Sequence, residues 1–117
     1  MHGNGTKNYP GGGTFAGGWQ GNNREGRGKR TWPSGASFDG EWATDQKEGL
    51  GTHVLADGSG MIGRYRAGEE VGEGVKWTAD RQTAMRLLDG MPQGQISFDD
   101  AQAAASRIGL HMPPAAL

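Results

Sequence analysis

One arrangement of glycine and aromatic residues returns every 23 residues along this chain. The pair Gly26-x-Gly28 is repeated in register at Gly3-x-Gly5, Gly49-x-Gly51 and Gly72-x-Gly74. A second element is repeated at the same interval, as Phe15-x-Gly17-x-Trp19, Phe38-x-Gly40-x-Trp42 and Met61-x-Gly63-x-Tyr65. A fixed period of this length is typical of repeat arrays, in which each unit is stable only when it is stacked on its neighbours. The period therefore predicts an array of small, similar units.

Residues 29–42 show what one unit is. Two strand-like runs flank Pro33-Ser34-Gly35, where proline presets one backbone angle and glycine tolerates the positive φ of a tight turn. On the second run Phe38, Gly40 and Trp42 are two residues apart, so they share one face of a strand, and the two acids between them point to water. The unit is predicted to be a β-hairpin with one apolar face.

Applied along the chain, the period predicts an all-β fold in which four consecutive antiparallel hairpins form an elongated, twisted sheet within residues 1–90. The hairpins fall at about residues 6–19, 29–42, 52–65 and 75–88, and the links between them carry the Gly-x-Gly pairs. The residues expected to build the core of the repeats are Tyr9, Phe15, Gly17, Trp19, Trp32, Phe38, Gly40, Trp42, Met61, Gly63, Tyr65 and Trp77.

A different pattern follows in residues 91–117. Met91-Pro92 is expected to end the sheet and to begin a linker. Ser97 followed by two acids predicts the start of a helix over about residues 98–108, Gly109 predicts its left-handed end, and a proline-containing tail follows. This short amphipathic helix is expected to cap the array by packing Phe98 and Ile108 on the exposed end of the sheet.

The pattern aromatic-x-Gly-x-Trp, a loop and then Gly-x-Gly resembles the MORN (membrane occupation and recognition nexus) repeat over about residues 3–88. The third unit departs from it with Met61 and Leu55 at aromatic positions. The fourth departs further, and its decay is read as an end cap, since a terminal repeat has no next neighbour. Proteins with MORN repeats are commonly scaffolds in cytoskeletal, ciliary or membrane-associated assemblies, and the resemblance implies the same broad role here.

Three patterns suggest enzymatic chemistry, but each lacks a part that such a site requires. Gly58-Ser59-Gly60-Met61-Ile62-Gly63 spells G-x-G-x-x-G but is followed by a strand and not by the helix that a dinucleotide site needs. The glycine-rich stretch 21–30 lacks the Gly-Lys-Ser/Thr ending of a phosphate-binding loop. His2, His53 and His111 have no partner at ligand spacing, and the chain has no cysteine. We therefore expect no catalysis, no cofactor and no metal site.

Charge is polarised along the array. Residues 1–35 contain five basic residues and one acid, whereas residues 36–75 contain eight acids and three basic residues. One interpretation is solvated loop tips that keep the sheet in solution. The other is a site for an acidic protein or an anionic membrane, built from Arg24, Arg27, Lys29 and Arg30. A sequence pI of about 6.3 argues against nucleic acid.

These features predict a non-catalytic module for protein–protein interaction, a structural or accessory subunit of a larger assembly. Its first strand, expected at Thr6–Tyr9, would present an unpaired edge to another protein or to a second copy of the chain. The alternative is a peripheral binder of anionic phospholipid. A third possibility is the regulatory part of an enzyme whose catalytic domain is on another chain. With no cysteine, no signal-like apolar start and no apolar stretch of membrane length, an intracellular location is expected, cytoplasmic, cytoskeletal or peripheral to a membrane.

Overall fold

The computed structural model describes residues 3–110, which form nine strands and one helix. The strands lie side by side in chain order, each antiparallel to the next, in a single sheet. In order the elements are β1 (Gly3–Asn8), β2 (Thr14–Gln20), β3 (Asn23–Thr31), β4 (Ser37–Ala43), β5 (Gln46–Val54), β6 (Gly60–Arg66), β7 (Glu69–Trp77), β8 (Ala84–Leu88), β9 (Met91–Ile96) and α1 (Phe98–Arg107). The prediction of an all-β hairpin array with a short C-terminal helix is confirmed.

The hairpins of the sheet are joined by tight two-residue turns. Both residues of each turn have positive φ, as type I′ turns require: Gly21-Asn22, Thr44-Asp45, Ala67-Gly68 and Asp89-Gly90. The Gly-x-Gly pairs were expected in these links, and that expectation was wrong. They lie inside β1, β3, β5 and β7, so the array is a continuous meander and not a row of hairpins joined by loops.

Inside β3 the first glycine of the pair, Gly26, lies in a β-bulge. From Gly17 to Trp19 strand β2 advances two residues, while the paired stretch of β3 advances four, from Gly28 back to Arg24. The surplus residues form a bulge, and Gly26 has a φ of 75° there, a conformation that favours glycine. The same shift of register follows in β4 with β5, one period later, where Gly49 has a φ of 87°.

The prediction that the sheet ends before residue 91 was also wrong. Residues 91–96 form β9, which pairs antiparallel with β8 and is therefore the last strand of the sheet rather than a linker. Pro92 is compatible with this position because an edge strand has no neighbour on one side, and proline's missing N–H then leaves no ladder bond unmade. Pro92 was expected to end the sheet, but it lies in the edge strand of the sheet.

Two cores lie on opposite faces of the sheet. Paired residues of antiparallel strands point to the same face, and Phe38, His53, Met61 and Lys76 form one such cross-strand row. The face they share, called here the aromatic face, carries a cluster of five buried rings: Phe15, Trp19, Phe38, Trp42 and Tyr65. The neighbouring residues in each strand belong to the other face, called here the helix face.

Helix α1 lies on the helix face and not on the end of the sheet as expected. Its buried Ala101, Ala104 and Ala105 pack with Ile62, Val75, Trp77 and Ala84. Trp77, grouped from sequence with the rings of the repeats, follows Lys76 and therefore points to this second core. Ser97 caps the helix by accepting a hydrogen bond from the Asp100 N–H at 3.0 Å, and Gly109 ends it with a φ of 94°. The expected proline-containing tail, His2 and His111 lie outside the described residues.

Candidate functional site

The five buried rings of the aromatic face form a ladder in which each ring meets the next edge to face. The order is Trp19, Phe15, Trp42, Phe38 and Tyr65, with centroid separations of 5.1, 5.2, 5.4 and 5.1 Å. The planes of successive rings cross at 79° to 88°, the T-shaped geometry that the ring quadrupoles favour. One period of sequence adds two rungs to this ladder.

In β3 and β5 the second glycine of the Gly-x-Gly pair makes room for a rung. A Cβ atom at Gly28 would lie 2.3 Å from Cζ of Phe15, and one at Gly51 would lie 2.1 Å from Cζ of Phe38. Each phenyl ring therefore rests directly on a glycine of the next strand. Where the third repeat has Met61 in place of phenylalanine, the contact is lost.

Each indole of the ladder is anchored by its N–H. Trp19 Nε1 donates to the carbonyl oxygen of Gly5 and Trp42 Nε1 to that of Gly28, both at 3.0 Å. Each bond spans 14 residues, from the Trp of one hairpin to the glycine pair of the strand before it. These bonds satisfy the only polar atom of each buried ring and fix the ring's orientation.

The MORN repeat family model matches residues 15–37 and 38–60. Residues 15–60 therefore contain two consecutive segments that match the MORN repeat. Each matched segment holds one phenylalanine-glycine-tryptophan strand and ends at the first residue of β4 or β6, so its length agrees with the period of the ladder. No curated protein matches the chain. The MORN repeat is a non-catalytic module, and such repeats generally take part in protein–protein or membrane interactions.

Cationic side chains lie over the rings of the ladder. The Arg24 guanidinium lies 4.4 Å from the Trp42 ring centroid and 5.7 Å from that of Phe15. One period later, Lys47 Nζ lies 4.6 Å from the Phe38 centroid, as cation–π attraction favours. Lys47 was missed in the sequence analysis, although its 23-residue spacing from Arg24 could have identified it.

The two ladder cations differ in how they are neutralised. Arg24 Nε donates to Asp45 Oδ1 at 2.6 Å, and only 16% of the Arg24 side chain is exposed. That hydrogen bond holds the pKa of Asp45 below its ordinary value. Burial lowers the pKa of Lys47, while the charge of Glu70 opposes this shift. Arg24 is thus a largely covered cation whose charge is paired with Asp45.

Arg30 and Lys47 border an open groove on the aromatic face. The groove has a volume of about 360 Å³ and is lined by Arg24, Arg30, Trp32, Trp42, Asp45, Gln46, Lys47 and Gly68. The Arg30 guanidinium lies 3.9 Å from the Tyr9 centroid and 5.3 Å from that of Trp32. Both of these rings are half-buried, unlike the fully covered rings of the ladder.

The four cations predicted as one basic site are split between the two faces. Arg24 and Arg30 lie on the aromatic face. Arg27 and Lys29 lie on the helix face, where they line a separate groove of about 430 Å³ together with Asp39. Arg27 is 3.9 Å from the carboxylate of Asp39. The split follows from strand geometry, because the side chains of adjacent residues point to opposite faces.

The remaining candidates are packing residues. His53 lies 5.7 Å from the Trp32 ring, and burial together with Lys47 lowers its pKa, so it is neutral near pH 7. Gly58 is in a turn with a φ of 94°, while Gly60 and Gly63 lie in β6. Within residues 3–110, no three His, Asp or Glu side chains come together as metal ligands would. Over the same range no helix has the length and apolarity to cross a bilayer.

Proposed function

We propose that the protein is a rigid scaffold module whose groove on the aromatic face docks an acidic segment of another protein. The observation that carries the proposal is the pairing of two cations with half-buried rings. Arg30 and Lys47 form no ion pair with an acid among residues 3–110, and both stand beside Trp32. Tryptophan and arginine are the side chains that most often dominate binding energy at protein interfaces.

The groove is well prepared for such a segment. The cations are already held against aromatic rings, and the sheet below them is fixed by the ladder, so little side-chain freedom is lost on binding. A carboxylate placed between Arg30 and Lys47 would meet both charges, while an apolar neighbour would cover the free part of Trp32. The protein then contributes a docking surface to a larger assembly. Its lack of cysteine supports a role in a reducing, intracellular compartment.

The split of the basic residues disfavours the membrane alternative. A bilayer is a flat surface that meets one face of a sheet, and either face offers only two of the four predicted cations. On the helix face, moreover, the carboxylate of Asp39 stands beside Arg27 and would oppose anionic headgroups. An acidic peptide needs only the groove between Arg30 and Lys47 and does not have to contact a whole face of the sheet.

The test uses two neighbouring residues of one strand. Arg30→Gln removes a groove cation, and Lys29→Gln removes a cation from the opposite face. Both variants and the wild type are titrated with a panel of Glu-rich peptides that contain leucine or phenylalanine, and with vesicles containing phosphatidylserine. The proposal expects peptide binding that Arg30→Gln weakens by about tenfold and Lys29→Gln leaves unchanged. Equal losses in both variants would contradict it, and binding to vesicles alone would favour the membrane alternative.

A further inference from the structure

The two edges of the sheet are built differently. Strand β9 carries Pro92 and is bulged against β8 between Arg86 and Leu87, two features that discourage a further strand from pairing. Strand β1 pairs with β2 without a register shift over all six of its residues, Gly3–Asn8, none of which is proline. Its outer edge is therefore regular enough to accept another strand.

Strand β1 repeats the pattern of β5, which lies two periods later in the middle of the sheet. Gly3-x-Gly5-Thr6 corresponds to Gly49-x-Gly51-Thr52. The pairing of β1 with β2 is the pairing of β5 with β6 moved by 46 residues, from Gly3↔Trp19 and Gly5↔Gly17 to Gly49↔Tyr65 and Gly51↔Gly63. The two strands are thus equivalent in sequence pattern and in register.

The other edge of β5 shows what such a strand receives. It pairs with β4, so that Phe38 lies opposite His53, Asp39 opposite Thr52 and Gly40 opposite Gly51. The Phe38 ring rests on Gly51, where a Cβ atom would be 2.1 Å from Cζ. Strand β3 receives β2 in the same way, with the Phe15 ring on Gly28. An aromatic-x-Gly segment is therefore the recurrent neighbour of a Gly-x-Gly strand on this edge.

The ring ladder also stops one rung short at β1. Trp42, which donates to Gly28, meets a phenyl ring on each side, Phe15 and Phe38. Trp19 donates to Gly5 in the equivalent way, and among residues 3–110 it meets only the Phe15 ring. Beside it a groove of about 480 Å³ runs along the edge, lined by Thr6, Lys7, Asn8, Trp19 and Asn22.

We propose that the edge of β1 binds an extended aromatic-x-Gly segment of a partner protein, which adds a tenth strand to the sheet. By the register of β4 on β5, the aromatic residue lies opposite Lys7 and its glycine lies opposite Gly5. The aromatic ring then rests on Gly5 and meets Trp19, which extends the ladder by one rung. Main-chain bonds supply affinity in such strand addition, and the ring supplies specificity.

The partner is a different protein and not a second copy of this chain. The aromatic-x-Gly segments of a second copy are already paired on both sides, within β2 and β4. Two β1 strands pairing with one another would offer no aromatic ring to rest on Gly5, because β1 contains none. This inference is independent of the docking groove, since it uses the edge of the sheet and none of the groove's cations.

The experiment uses the sequence of β4 as its probe. The capped peptide acetyl-Ser-Phe-Asp-Gly-Glu-Trp-Ala-amide is titrated into the full chain by calorimetry, and the β1 amides are followed by NMR. We expect saturable binding with shifts in Gly3–Asn8. A peptide with Phe→Ala should bind about tenfold more weakly or worse, because it loses the ring that rests on Gly5. A peptide with Gly→Val should also lose binding, because the close approach opposite Gly5 is blocked.

Protein variants complete the design. Gly5→Val should abolish binding by filling the place of the ring, while Thr6→Val, on the opposite face, should leave it unchanged. If Gly5→Val fails to fold, the two control peptides still decide the matter on the wild-type chain. Binding that is indifferent to both peptide changes, or no saturable binding at millimolar peptide, would overturn the proposal. A dimer of the chain would also overturn the proposal if Gly5→Val dissociated that dimer and the peptide did not. The edge of β1 would then belong to a second copy of the chain.

Discussion

The glycine beneath Phe38 yields a sharp prediction, because Gly51 and its cross-strand partner Gly63 should respond differently to alanine. In Gly51→Ala the new methyl would stand 2.1 Å from Cζ of Phe38, where an ordinary contact begins at 3.4 Å. The ring would have to retreat by roughly 1 Å or more. Phe38 is fully buried between Trp42 and Tyr65, and Trp42 is tied to the Gly28 carbonyl, so neither neighbour can follow freely.

We expect Gly51→Ala to lower the free energy of unfolding by roughly 3 kcal/mol, between a typical overpacking cost and the loss of a buried phenylalanine. Gly63→Ala is the matched control on β6, since its methyl would meet only the Gly74 Cα, at 3.8 Å. It should stay within about 0.5 kcal/mol of the wild type or stabilise slightly, because alanine restricts the unfolded chain. Urea titrations followed by tryptophan fluorescence and far-UV circular dichroism measure both variants.

A double variant tests the cause. Phe38→Leu shortens the side chain that the new methyl strikes, so its cost in the Gly51→Ala background should be smaller than its cost in the wild type. Equal losses for Gly51→Ala and Gly63→Ala, or strict additivity of Gly51→Ala with Phe38→Leu, would refute the view that the ring rests on this glycine.

Three further predictions concern the ladder and its turns. Trp42→Ala should cost about 3–5 kcal/mol and more than Trp19→Ala, because Trp42 meets two phenyl rings and Arg24; equal urea midpoints would contradict the ladder. The pKa of Asp45 is depressed in the folded protein, so its bond to Arg24 stabilises the protein above the ordinary carboxyl pKa and is lost as the pH falls. The wild type should therefore be more stable than Asp45→Asn at pH 7, and this advantage in unfolding free energy should shrink in urea titrations at pH 3. Thr44 is β-branched and has a φ of 48°, so Thr44→Asn should raise the unfolding free energy by about 1 kcal/mol in urea titrations, and no gain would show that the turn is unstrained.

The architecture could be predicted because the same alternation of aromatic residues and glycine occurs several times in the sequence. Phe38, Gly40 and Trp42 share a strand face by simple alternation, and three copies in register fixed both the hairpins and their apolar side. The helix was equally readable, since Ser97 and Gly109 mark its two ends with residue types that have specific backbone and hydrogen-bonding roles.

What could not be predicted depended on pairing between strands. The Gly-x-Gly pairs looked like loops because glycine is common there, yet their use as bulge and ring support appears only when β3 is aligned with β2 and β4. Pro92 suits an edge strand, but sequence alone does not say which strand is the edge. The basic residues 24–30 are close in the chain, and their division between faces required knowing that they lie in one strand with a bulge at Gly26.

The replacement of phenylalanine by Met61 in the third repeat marks the point where the core changes from one face of the sheet to the other. The ladder runs through residues 15–65 and ends where Met61 replaces phenylalanine. In that same strand the next residue, Ile62, begins the second core, on the face that α1 covers. The apolar surface thus crosses from the aromatic face to the helix face within β6. Within residues 3–110, α1 packs mainly on β7 and β8. The proposed docking groove and the edge of β1 lie toward the other end of the sheet. Decay of the third and fourth repeats therefore coincides with the start of the second core, and both of the proposed binding surfaces lie toward the opposite end of the sheet.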